Sequence, residues 1–92
     1  MIIFLTASFF GHLPIVKFLL SVSNDINAIT DDLWDYSTPL HFAAENGKLD
    51  VVEYLVQKGA NINAKTGNGK TAYDLAVENG HWNVADYLNK QM

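Results

Sequence analysis

The chain has 92 residues, 49% of them hydrophobic, and its six lysines against ten acidic residues give a formal net charge of −4. A chain of this size forms one domain with a modest core, because it buries only roughly 60% of its unfolded surface on folding. The absence of cysteine excludes disulfide staples and thiolate metal sites, and the acidic balance leaves no electrostatic footprint for a phosphate backbone.

The opening MIIFLTASFF is apolar, but it has no positively charged leader segment and no small-x-small cleavage site. Its apolar run is also too short to cross a bilayer. It reads instead as a helix near 3–10, followed by a second near 13–21. The connection ITDDLWDYS comes next, and Thr38-Pro39 then marks a helix start over 39–46, with threonine as N-cap and proline at the first helical position. Apolar residues at helical spacing, Leu40, Ala43 and Ala44 and then Leu49, Val52, Leu55 and Val56, predict a pair of helices over 39–46 and 49–57. Gly47 separates the two, and Gly59 stands where a left-handed C-cap belongs. The same pattern predicts helices over 72–79 and 82–90. No Asn-x-Ser/Thr acceptor occurs, so the expected location is intracellular, in the cytoplasm.

The stretch TPLHFAAENGKLDVVEYL from Thr38 to Leu55 is nearly repeated as TAYDLAVENGHWNVADYL from Thr71 to Leu88, in register at a separation of 33. Going backwards, GHLPIVKFLLSVSNDINA from Gly11 lies over GKLDVVEYLVQKGANINA from Gly47 at a separation of 36. The three added residues fall between Ala28 and Thr38. The chain is therefore read as one domain, 1–92, of three units near 1–28, 29–64 and 65–92. Helices this short are marginal alone, so each hairpin must bury its apolar faces on its neighbours.

These residues resemble ankyrin repeats: TPLH joined to AAENG, VVEYLVQKGANINA, and a second copy in register. The resemblance covers nearly the whole chain and implies an all-α solenoid of three helix-turn-helix units with short projecting turns. It also implies a non-catalytic function, the binding of a partner protein through the concave face and the turns. The alternative is a structural or self-associating segment, either the C-terminal end of a longer array or a homo-oligomer formed through the first repeat. In the last unit Ala72, Asp74 and Asn89 replace Pro39, His41 and Val56, which resembles a polar C-terminal capping repeat. The first unit has IIFL where TPLH belongs and Ser23 where Gly59 belongs.

Chemistry is set aside on the same residues. TGNGKTAYDL imitates the end of a phosphate-binding loop, but Ala64 stands where the motif needs its first glycine. Gly67 and Gly69 are expected to give the turn positive φ, with Thr71 capping the helix. His12 and His81 each follow a repeat glycine. His41 belongs to TPLH, where the family's histidine braces the turn around the threonine. No catalytic, cofactor-binding or metal-binding residues are assigned, and no cofactor, nucleic acid or membrane partner is expected. Asn27 and Asn63 are expected to hydrogen-bond backbone between units; in some ankyrin proteins this asparagine is hydroxylated.

The resemblance places partner contacts on the turns, at Ile29, Ser37, Lys65, Asn68 and Lys70, and on the first helices, at Phe9, Phe10, Glu45, Asn46, Glu78 and Asn79. The enlarged connection adds Leu33, Trp34 and Tyr36 among Asp31, Asp32 and Asp35. Two arrangements of Trp34 fit. Either it joins Leu33, Tyr36, Phe9 and Phe10 in an apolar binding patch, or it folds back over Phe9 and Phe10 as a lid. The expected core is Leu40, Ala43, Ala44, Val52, Leu55, Leu75, Ala76 and Leu88.

Overall fold

The computed structural model describes residues 8, 10–23, 26, 27 and 36–91. Among the described residues five helices are bounded, in order: α1 (Leu13–Ser23), α2 (Pro39–Glu45), α3 (Leu49–Gln57), α4 (Ala72–Glu78) and α5 (Trp82–Gln91). Each starts where the sequence places it and ends within two residues of the expected position. Of the helix expected near 3–10, the described residues Ser8 and Phe10 are helical. No strand occurs among the described residues, and the fold is all-α.

Local chemistry sets the helix ends. Thr38 is the N-cap of α2, with Pro39 in the first turn, and Thr71 is the N-cap of α4. Between α2 and α3 the Lys48 N–H donates to Ala43 O at 2.9 Å, and between α4 and α5 the His81 N–H donates to Ala76 O at 2.8 Å. These bonds close the helix ends across Gly47 and Gly80, at φ +71° and +74°, a region glycine enters without steric cost. Gly59 does the same after α3 at φ +98°, where the Ala60 N–H donates to Leu55 O at 3.0 Å. In the turn before α4 only Gly69 has positive φ; Gly67 does not.

The hairpins stack side by side, with α2 packing on α4, α3 lying against α1 and α5, and each of α3 and α5 closing on its own first helix. One apolar cluster runs through the seams and includes Val16, Leu40, Ala43, Ala44, Val51, Val52, Leu55, Ala76, Val84 and Leu88. Leu75 departs from expectation and is only half-buried. Its register is that of Phe42, which is 8% exposed but, like Leu75, stands outside the cluster in the seams; nothing in the structure explains why burial at this register differs between the two units. The residues of α4 at the registers of Leu40, Ala43 and Ala44 are Tyr73, Ala76 and Val77, and these do pack on the cluster.

The stack also fixes what covers each glycine. A Cβ added at Gly11 would lie 2.6 Å from the Lys48 side chain, and one added at Gly47 would lie 2.5 Å from the His81 ring, whereas Gly80 has open space around it. Gly47→Ala and Gly80→Ala share the strain of positive φ and differ by this close approach. Gly47→Ala is therefore expected to destabilise by about 1–3 kcal/mol more than Gly80→Ala, the usual cost of overpacking. Urea midpoints of the two variants check it, and equal midpoints would contradict the stacking register.

Candidate functional site

The side-chain geometry begins at His41, which is 2% exposed. The Thr38 N–H donates to His41 Nδ1 at 2.9 Å, and the His41 N–H donates to Thr38 Oγ1 at 3.4 Å, a reciprocal cap. Since a backbone N–H only donates, Nδ1 is the accepting nitrogen and Nε2 carries the proton. That proton is directed to Ala64 O, 2.9 Å away. The bracing around Thr38 is what the resemblance implied; the imidazole in addition ties the start of α2 to the foot of the next turn. In the last unit Asp74 performs only the capping half: its Oδ2 accepts from the Thr71 N–H at 3.0 Å, and its own N–H donates to Thr71 Oγ1 at 3.2 Å.

Asn27 joins units one and two directly, its Oδ1 accepting from the Asn61 N–H at 2.8 Å. Asn61 in turn braces its own turn, its Oδ1 accepting from the Asn63 N–H at 3.0 Å. The projecting turn that follows is a closed frame. The Thr66 N–H donates to Lys70 O and the Gly69 N–H to Thr66 O, both at 2.9 Å, and the Lys70 N–H donates to Thr66 Oγ1 at 3.3 Å. Thr66 is 7% exposed. The frame holds Lys65 and Asn68 out in solvent.

Of the residues singled out in the sequence, this turn carries Lys65, Asn68 and Lys70, and an ion pair joins Lys70 to Glu78 at the end of α4. Asn46 and Asn79 are the C-caps of α2 and α4, and Asn79 Nδ2 donates to Leu75 O at 2.8 Å. Glu45 and Asn46 are half-buried, while Glu78 and Asn79 are exposed. Ser37 is 7% exposed, hence buried; it sits directly before the buried cap. Phe10 is 55% exposed, with its ring tilted against His12 at 6.3 Å between centroids. Tyr36 is 48% exposed at φ +54°. Phe9, Ile29, Leu33 and Trp34 lie outside the described residues, as does the choice between patch and lid.

Two exposed apolar residues, Ile15 and Phe18 of α1, were not singled out in the sequence. The signal for them was register: Ile15 stands where units two and three carry Val51 and Val84, both fully buried.

A hairpin stack with capped, tied turns and no helix among the described residues long and apolar enough to cross a membrane is a helical-repeat scaffold. The chain belongs to the ankyrin-repeat family: the family's model matches residues 3–91 as three copies. Repeats of this family are generally protein-interaction modules and typically non-catalytic. The chain is similar to alpha-latrotoxin-Lh1a of Latrodectus hasselti, 46% identical over 77% of this chain and 5% of that protein. It is also similar to Dauer abnormal formation protein 25 of Caenorhabditis elegans, 36% identical over 94% of this chain and 22% of that protein. With the ARF GTPase-activating protein Git of Drosophila melanogaster it shares 46% identity over 56% of the chain and 7% of that protein. The chain thus spans less than a quarter of the length of each of these relatives, and the similarity is to a part of each.

Proposed function

We propose that the chain is a docking module without chemistry of its own, holding a partner protein on the concave side of its first helices and on its projecting turns, in the cytoplasm. The observation that supports this reading is the closed frame of the turn over Thr66 to Lys70, which presents Lys65 and Asn68 from a fixed backbone. A surface ordered before binding loses little conformational entropy on association. Tyr36 and Phe10 add exposed aromatic area of the kind that often dominates interfaces. The test is affinity capture from the producing cells, followed by titration of the captured protein. The triple variant Tyr36→Ala, Lys65→Ala, Asn68→Ala is expected to bind about tenfold or more weakly with its melting temperature kept. Unchanged affinity would sink this assignment of the surface.

A second reading, self-association through the first unit, is favoured by Phe10, Ile15 and Phe18, which are 55%, 46% and 64% exposed. Sedimentation over a concentration series separates the two: a dimer abolished by Ile15→Glu supports self-association, and a monomer at all concentrations removes it.

A further inference from the structure

Two lysines from different units converge on one ring. Lys17 Nζ, from α1, stands 5.3 Å from the centroid of Tyr54 in α3, and Lys58 Nζ, at the C-terminal end of α3, stands 5.7 Å from it. Each ammonium gains cation–π attraction there, and Lys58 also meets the negative end of the α3 dipole. Among the described residues neither has a carboxylate partner within ion-pair distance, as Lys48 and Lys65 also do not, whereas Lys70 and Lys90 are paired with Glu78 and Asp86; what sets Lys17 and Lys58 apart is that they converge. Two like charges gathered on one ring repel, in a chain whose net charge is −4. Beside Lys17, and at the register of Tyr54 in unit one, is Phe18, 64% exposed.

We propose that this seam between α1 and α3 is a second docking surface, on the second helices rather than on the turns. It takes an acidic peptide segment of a partner protein, which sets carboxylates on Lys17 and Lys58 and a bulky apolar side chain on Phe18. Carboxylates are the complement of unopposed ammoniums, and the neighbouring ring gives the apolar residue a place to be buried. An anionic membrane fits less well. Two lysines are few for a polybasic contact.

The test is fluorescence anisotropy of the whole chain with a labelled peptide, Glu-Glu-Leu-Phe-Glu-Glu, beside its glutamine counterpart Gln-Gln-Leu-Phe-Gln-Gln and phosphatidylserine vesicles. The acidic peptide is expected to bind, more weakly as salt rises, and the neutral peptide and vesicles are not. Lys17→Met with Lys58→Met keeps the hydrocarbon over Tyr54 and removes both charges, and should weaken peptide binding about tenfold. Phe18→Ala should weaken it also, and Lys90→Glu, away from the seam, should not. The titration of the unmodified chain and its salt dependence stand without any variant. The proposal is overturned by absence of peptide binding, by equal binding of the neutral peptide, by vesicle binding in place of peptide binding, or by affinity unchanged in a folded Met variant.

Discussion

Replacing Leu55 by alanine is expected to lower stability by about 2–5 kcal/mol, through lost transfer energy and the cavity left behind. Leu55 is fully buried in α3, and α3 packs on its own first helix and on the second helices of both neighbouring units, so no flank is free to collapse into the space. A domain of this kind holds only about 5–15 kcal/mol in total, and three units leave few others to share the loss. Urea denaturation followed by circular dichroism measures it. Leu55→Met, close in volume, should cost less than about 1.5 kcal/mol, and an unchanged midpoint for Leu55→Ala would refute the packing described.

His41→Ala should approach the same size by a different route. It strips the acceptor from the buried Thr38 N–H, which left unsatisfied costs about 1–3 kcal/mol, and the donor from the part-buried Ala64 O, where water can take up some of the loss. His41→Asn separates the two ends, since a carboxamide oxygen can take the Thr38 proton but is too short to reach Ala64. The expected order of melting temperatures is wild type, then His41→Asn, then His41→Ala. If His41→Asn melts with wild type, the tie to Ala64 contributes nothing.

Much of this fold was legible because the sequence repeats. Agreement between copies identifies the capping threonines, the glycines with positive φ and the inward registers without any knowledge of contacts, and it makes Asp74 readable as a cap with one end missing. Errors came where one residue was read alone. Leu75 was expected in the core, yet it is half-buried and stands outside the apolar cluster. Ser37 looked like a fingertip because it lies in a turn, yet it is buried beside the Thr38 cap. Gly67 looked like Gly69, but only Gly69 takes the left-handed backbone. The convergence of Lys17 and Lys58 on Tyr54, and the pairing of Lys70 with Glu78, join long side chains whose rotamers no repeat pattern specifies. Neither is visible in the sequence.

The imidazole between Thr38 and Ala64 has a consequence for how the molecule responds to touch. Ala64 immediately precedes Lys65, so anything that grips the tip of that turn also steadies the carbonyl to which His41 is anchored. The cap of α2, one unit back, is then harder to open. By linkage the converse holds, and a frayed α2 start loosens the fingertip. Under the docking proposed above, amide hydrogen exchange at Thr38 and His41 is expected to slow when a partner occupies Lys65 and Asn68, a remote gauge of that contact.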